Sequence, residues 1–482
     1  MIAYDKTDAK SIETYAKGLV GHTFSDVIKW AEVSSDYTYN KKSRKGGLGN
    51  LIEECYFGYA ANGRSEADFS EAGVELKVTP IETRKKGQYA AGERLVLTMI
   101  SYKEPITHDF ENSHMWQKSQ LLLIVCYMRD RSLKDNLLYE IQYASLFTPP
   151  EKDLIIIRND YEIIVSKIEK GLAQELSESD TMYLGACTKG KTAAKSLVPQ
   201  FYPPYIPAKR RAYCYKQSYM TYVINTYIAQ KSKEQEAIIE NPEVLRKTSF
   251  ERYLIEYKLA PFVGKTDEEL CQMFELPYNK NKVQWVKLAY RMLGIKSNSA
   301  EEFVKANIAV KTIRIRSNGT IKENMSFPAF KYKEIIKESW EDCELHRYFS
   351  ETKLLFVVFN EDGNCYRFKG AKLWNMPYKD LEETVQQGWQ RTIDTIRRGP
   401  KLTPKMTKKG YKVFNDFLKE SDDVIIHVRP HTDKSYYLFP DGTHYGNGTL
   451  ADTNELPDGR WMTTMSFWLN SSYVLKQLQS LD

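Results

Sequence analysis

The residues of this sequence best suited to chemistry lie between Asp68 and Pro80, in the run D-F-S-E-A-G-V-E-L-K-V-T-P. Residues 74–79 alternate V-E-L-K-V-T. A strand with a side-chain period of two sets Glu75 and Lys77 on one face and Val74, Leu76 and Val78 on the other. On the turn entering that strand, Asp68 is placed to bring a second carboxylate beside Glu75. Two carboxylates and a lysine sharing one site suit metal-assisted hydrolysis of a phosphodiester. The carboxylates are hard oxygen ligands for Mg2+, and the lysine orients or helps deprotonate the attacking water and offsets charge on the phosphate. In a chain with 27% charged residues the same pattern also arises as a solvated strand face, so its surroundings decide.

Several elements must position this trio. Residues 7–32 carry apolar positions at helical spacing, broken at Val20-Gly21, and predict two short helices with Thr23 or Ser25 capping the second. The run N-L-I-E-E-C-Y-F-G-Y that follows Gly49 also reads as a helix, and it carries Glu53 toward Asp68 and Glu75. Thr83 to Gly92 is a basic, glycine-punctuated loop suited to phosphate contact, Arg94 to Ser101 a strand, and Leu121 to Tyr127 a central strand buried on both faces. Asp160 to Leu176 reads as a helix. Lys209-Arg210-Arg211 forms a basic patch for phosphates, and a helix near Tyr219 to Ile228 closes this region.

The segment Lys45-Gly-Gly-Leu-Gly-Asn-Leu-Ile-Glu53, with Gly58, Asp68-Phe69, Gly73-Val-Glu-Leu-Lys77 and Ser113-His114-x-x-x-Lys118, resembles the MutH family of DNA endonucleases. That family includes a mismatch-repair nicking enzyme and type II restriction endonucleases that cut GATC. Tyr183-Leu184, Thr188-Lys189 and Tyr213 to Tyr219 fall in family order, and the likeness is closest to the GATC restriction enzymes, whose long two-part chain this one shares. The resemblance implies Mg2+ held by Glu53, Asp68 and Glu75, with Lys77 positioning or activating water and Lys118 supporting the scissile phosphate. Lys45 would contact DNA, and the loop at Thr188 and Lys189 would read base edges in the major groove. Cys214 stands where the repair enzymes carry a tyrosine placed to sense adenine methylation, which favours restriction over repair.

The second half echoes the first at a near-constant spacing. Val20-Gly21-x-Thr23 returns as Val263-Gly264-x-Thr266, and Phe69-x-x-Ala72-x-Val74-x-Leu76-Lys77 as Phe303-x-x-Ala306-x-Ile308-x-Val310-Lys311. Leu121–Val125 returns as Leu354–Val358. The matching positions turn Glu53 into Ala289, Asp68 into Glu302, Glu75 into Ala309 and Lys118 into Glu351, so only Lys311 survives from the site. The second half is expected to be catalytically dead. Opposite Thr188-Lys189 it nevertheless carries Arg429-Pro430-His431, with basic residues at 397–409, and it is expected to bind DNA.

At 482 residues the chain exceeds one ordinary core, and 42% hydrophobic content with 33 Tyr and 20 Phe excludes disorder. The net charge of +6 is compatible with a polyanionic partner without requiring one. Seven cysteines without a C-x-x-C pair or a Cys/His cluster argue against disulfides and structural zinc. No leader or membrane-length apolar run stands in the sequence, and a cytoplasmic protein is expected. The expected architecture is α/β: two tandem restriction-endonuclease-like domains, each a mixed sheet flanked by helices. Residues 1–230 would be catalytic, 231–247 a polar linker, and 248–482 an inactive DNA-binding or effector domain. The expected partner is double-stranded DNA containing GATC, engaged at two sites at once, with a monomer when free and a dimer on DNA. A repair nickase at GATC and a non-cleaving DNA-binding regulator are the alternatives.

Overall fold

The computed structural model describes residues 4–34, 47–59, 66–84, 87–189, 196–231, 235–279, 281–323, 325–408, 410–422 and 425–481. The chain forms two compact units, Met1–Phe250 with Ser297–Ile308, and Glu251–Lys296 with Ala309–Asp482.

In the first unit, helix α1 (Ala9–Ala16) is capped by the Asp8 carboxylate. Helix α2 (Phe24–Ser34) starts from a reciprocal cap, in which the Asp26 N–H donates to Thr23 Oγ1 and the Thr23 N–H to Asp26 Oδ2. Helix α3 (Leu48–Leu51) widens into a π-helical turn over Ile52–Tyr56. Five strands follow, β1 (Glu75–Thr83), β2 (Tyr89–Ala91), β3 (Leu95–Met99), β4 (Leu122–Met128) and β5 (Ile141–Phe147), with helix α4 (His114–Ser119) before β4. Four of them form a sheet in the order β2-β1-β4-β5. Strands β1 and β4 are parallel, with Glu75 opposite Leu122, while β2 and β5 pair antiparallel at the flanks. The sheet is mixed because the parallel pair needs a crossover, which β2, β3 and α4 supply. Val74, Leu76, Leu123 and Val125 pack with Ile12, Phe24, Val27, Leu51 and Ile52 in one core, so the apolar face of β1 is sealed by α1–α3.

Next come α5 (Glu151–Glu169), β6 (Leu184–Thr188), β7 (Leu197–Val198), β8 (Ala208–Lys209), β9 (Arg211–Tyr215) and α6 (Gln217–Val223), the last extended by a π-helical turn over Ile224–Ile228. A second sheet has the order β3-β9-β6. The helix expected from Asp160 begins instead at Glu151, because Pro150 supplies an extended N-cap and Glu151 and Asp153 favour the first turn. Asp160 thereby falls mid-helix and buried, where it accepts the N–H groups of Met182, Tyr183 and Leu184 at 2.6–2.9 Å. Burial pushes its pKa up to about 6.

The second unit reuses this plan. Its strands β10 (Ile308–Ile315), β11 (Met325–Phe330), β12 (Lys353–Asp362) and β13 (Cys365–Trp374) include a sheet ordered β10-β12-β13, matching β1-β4-β5. Strand Met465–Leu469 lies between β11 and strand Ile426–Pro430, as β9 lies between β3 and β6. A hairpin of Thr403–Thr407 with Gly410–Phe414 and a four-stranded sheet between Tyr436 and Thr463 are additions.

The units divide at different residues from the 231–247 boundary expected above. Ile238 and Leu245 are buried, and the Ile238 and Ile239 N–H groups donate to Glu302 at 2.9 and 3.0 Å, so the part of that stretch around Ile238 to Leu245 is packed rather than free. Helix Glu301–Ala306 of the first unit inserts Lys305, 1% exposed, between Asp153 and Glu301, each at 2.6 Å from its ammonium. Removing one member of a buried ion set leaves the others uncompensated. Lys305→Ala is therefore expected to destabilise the first unit by about 3–5 kcal/mol in urea titrations, and Lys305→Met combined with Asp153→Asn by less. Equal losses for both would contradict this reading.

Candidate active site

Strand β1 delivers Glu75 and Lys77 to the face opposite the helical core, as their alternation requires. Glu75 is 3% exposed. Lys77 Nζ donates to its Oε1 at 2.7 Å and to the Leu97 carbonyl of β3 at 3.3 Å. Lys118 Nζ, in the last turn of α4, stands 3.6 Å from the same Oε1. The Asp68 N–H donates to Glu75 Oε2 at 3.3 Å, and Asp68 Oδ2 accepts the Leu76 N–H at 2.9 Å. The turn that carries Asp68 is thus hydrogen-bonded to the start of the strand, and Phe69 closes it by pairing with Val74.

Glu53 sits in the π-helical turn after α3, half-buried, and no hydrogen bond from a described residue reaches its carboxylate. Burial, then the nearby charges of Asp68 and Glu75, push its pKa up to about 7. Burial also raises Glu75, against the pull of Lys77. Tyr59, not singled out in the sequence, has a buried hydroxyl without a hydrogen-bond partner among the described residues. Its ring meets Phe69 at 5.4 Å, and burial followed by the Asp68 and Glu53 charges raises its pKa far above the tyrosine range. Its sequence signal is faint: one tyrosine among 33, just past Gly58.

Among the described residues no three His, Cys, Asp or Glu side chains close into a ready metal cluster. Protein donors hold oxygens of Asp68 and Glu75, whereas Glu53 has none among the described residues. The donor set still fits a hard divalent cation. Three acidic oxygen ligands converge electrostatically, and the group with the most strongly raised pKa is the one that a cation would relieve. Such a site can polarise a phosphate and bind water next to two ammonium groups.

The expected DNA contacts are dispersed. Lys45 lies outside the described residues. Thr188 ends β6 and is exposed, and the neighbouring Lys189 is exposed with its N–H bonded to the Arg210 carbonyl. Arg210 is exposed. Arg211 is not, which corrects the three-residue phosphate patch: it is 4% exposed and its guanidinium donates to the Ala186 carbonyl at 2.7 Å, because it opens β9, a strand buried along its whole length between β3 and β6. In the second unit Arg429, Pro430 and His431 are exposed at the end of their strand. Arg429 lies 5.1 Å over the Trp468 ring, and His431 Nδ1 is 3.1 Å from Ser466 Oγ.

A mixed sheet that carries Asp68, Glu75 and Lys77 at one strand end defines a restriction-endonuclease-like nuclease. The family model described as DNA mismatch repair enzyme MutH matches residues 57–160. The type II restriction enzyme Sau3AI of Staphylococcus aureus is 34% identical over 472 residues, 91% of this chain and 94% of its own length. DNA mismatch repair protein MutH of Vibrio vulnificus is 26% identical over 36% of this chain and 72% of its own length, and that of Salmonella paratyphi B 28% over 34% and 67%. The chain belongs to the MutH-like family of type II restriction enzymes. It is a site-specific deoxyribonuclease that acts on double-stranded DNA.

Glu53 makes the site costly to the fold. Its folded pKa of about 7 stands above its ordinary 4.5, so the ionised form is disfavoured in the folded state. The penalty is absent below the ordinary value, grows between it and about 7, and is complete above. Glu53→Gln is expected to raise the melting temperature of the metal-free protein at pH 8 by about 2–4 °C, roughly 1 kcal/mol once solvent screening of this half-open group is allowed for. The gain should fade toward pH 5. A gain independent of pH would contradict this origin.

Proposed function

We propose that the first unit cuts both strands of GATC sequences with Mg2+, and that the second unit binds DNA without cutting it. The observation that carries this reading is the buried Glu75 carboxylate held between Lys77 at 2.7 Å and Lys118 at 3.6 Å, with Asp68 hydrogen-bonded alongside. In this reading Glu53, Asp68 and Glu75 hold the cation. A bound Mg2+ would supply Lewis-acid polarisation of the phosphate and a more acidic water. Lys77 orients the attacking water, and Lys118 offsets the growing charge on the scissile phosphate. The Tyr59 hydroxyl stands ready to accept or donate a bond at the same pocket. Lys45, Lys189 and Arg210 would hold the duplex, with Thr188 and Lys189 against base edges.

Restriction is favoured over repair nicking by coverage: the mismatch-repair proteins match about a third of the chain, the Staphylococcus enzyme nearly all of it. Cys214 is fully buried on β9 with its thiol directed at the Gly185 carbonyl, a poor position for sensing a methyl group in a groove. For the second unit, loss of acidic ligands at Ala289 and Ala309 alongside the exposed Arg429-Pro430-His431 supports an effector that holds a second GATC copy. A pseudo-dimer partner completing a clamp on one site is the competing reading.

Glu75→Ala is expected to abolish cleavage of a GATC plasmid in Mg2+, at least ~10³-fold, while duplex binding measured in Ca2+ stays within about threefold. Retained cutting would remove Glu75 from the site. Two-site plasmids are expected to be cut some 5- to 150-fold faster than one-site plasmids, the span of about 1–3 kcal/mol of coupling, and Arg429→Ala with His431→Ala to lower the two-site rate toward the one-site rate. Equal rates across protein concentrations would favour the pseudo-dimer.

A further inference from the structure

The second unit contains a cavity of about 310 Å³ whose floor is Val310–Arg314 of β10 and whose walls are the start of β11 and helix Lys282–Met292. By the repeat, these are the counterparts of β1, β3 and the α3 turn that surround Glu75 in the first unit. The cavity lies beside the positions of the lost carboxylates and is not lined by them. Ala289 and Ala309 carry methyl groups, and Glu302, the counterpart of Asp68, is engaged by the Ile238 and Ile239 N–H groups within the first unit.

What remains is unbalanced charge. Lys77 is neutralised by Glu75, whereas Lys311, two residues beyond Ala309 in the same strand register, makes no hydrogen bond or ion pair with any described residue. It is half-buried, and burial alone lowers its pKa, with no carboxylate opposing. Lys282 adds a second, exposed ammonium at the rim. The other charged pair on the lining cancels internally, since Arg314 is bonded through its guanidinium and its backbone N–H to Glu323. The hydroxyls of Thr312, Ser326 and Ser471 complete a lining of donors. A cavity with net positive charge and hydroxyl donors, and without a free carboxylate to hold a metal or take a proton from water, suits a phosphoryl oxyanion that is bound and left intact.

We propose that this cavity is a metal-independent phosphate pocket centred on Lys311. The phosphate comes either from the backbone of a duplex or from free phosphate. The first source rests on the DNA-binding reading of the second unit, and the second does not.

The test is competitive acetylation of the full-length protein, with Lys311 followed by peptide mass spectrometry in the absence of metal. Inorganic phosphate and a GATC duplex are added in separate arms. Labelling of Lys311 is expected to slow by 1 + [L]/Kd, about fivefold at roughly four Kd, while exposed lysines such as Lys333 are unchanged. Protection by phosphate and by duplex supports the pocket with DNA as its source. Protection by phosphate alone supports the pocket and counts against DNA binding here. Protection by duplex alone supports a backbone site that needs its flanking contacts. Protection by neither overturns the proposal, and leaves the two-site reading to its own plasmid assay. In a calorimetric arm, Lys311→Met is expected to lose the phosphate heat signal and Lys311→Arg to keep it, with both melting at or above the parental temperature. A Met variant that binds phosphate like the parent also overturns it.

Discussion

The site depends on keeping Glu75 ionised where burial favours its neutral form. Desolvation raises its pKa, and the neighbouring Asp68 charge raises it further. Lys77 and Lys118 oppose both, and each comes from a different element. The arrangement follows from chain geometry. The parallel pairing of β1 with β4 requires a crossover, and α4 at the end of that crossover leads directly into β4 beside the first residue of β1. Asp68 is bound to the same point through the Leu76 N–H. Glu53 has no donor among the described residues, and burial with the Asp68 and Glu75 charges outweighs the pull of Lys77 on it, so the first unit carries an electrostatic cost that a divalent cation would offset.

The second unit separates the fold from this cost. Its β10-β12-β13 sheet repeats β1-β4-β5, and its apolar side packs in a continuous core that includes Leu354, Phe356 and Val358. That packing reaches the face corresponding to Glu75, because Ile313 belongs to the core and Ala309 packs against it. Ala289 is fully buried and Ala309 packs against the core, so the positions of Glu53 and Glu75 have joined the apolar packing that drives folding. The Asp68 counterpart, Glu302, serves as an acceptor for backbone N–H groups.

Strand β1 was legible because period-two alternation fixes which residues share a face, and Glu75 and Lys77 fall together under it. The central strand β4 was legible for a similar reason: a fully apolar run of strand length has few alternatives, and Leu122–Cys126 are fully buried. The repeat placed β10 and β12 correctly from residue pattern alone. What remained hidden depends on tertiary partners. Arg211 reads as one more cation in a basic run, and only its place on the buried central strand β9 shows that it serves the Ala186 carbonyl. Tyr59 is marked by burial next to two carboxylates, which no local pattern encodes. The stretch around Ile238 reads as a linker because its composition is polar, yet Glu302, far along the sequence, satisfies its backbone. The helix expected from Asp160 starts earlier, at Glu151, and the Asp160 carboxylate, mid-helix, is needed across the fold at Met182–Leu184.

The central claim is that one unit holds the cation and the other does not. Replacing Mg2+ by Fe2+ in the full-length protein, and adding ascorbate and peroxide, generates radicals that cut the polypeptide next to bound metal. The account predicts backbone scission confined to the neighbourhoods of Glu53 and of Asp68 to Lys77, suppressed by excess Mg2+. Scission of equal strength near Ala289 and Ala309, or none at Glu53 and Glu75, would contradict it.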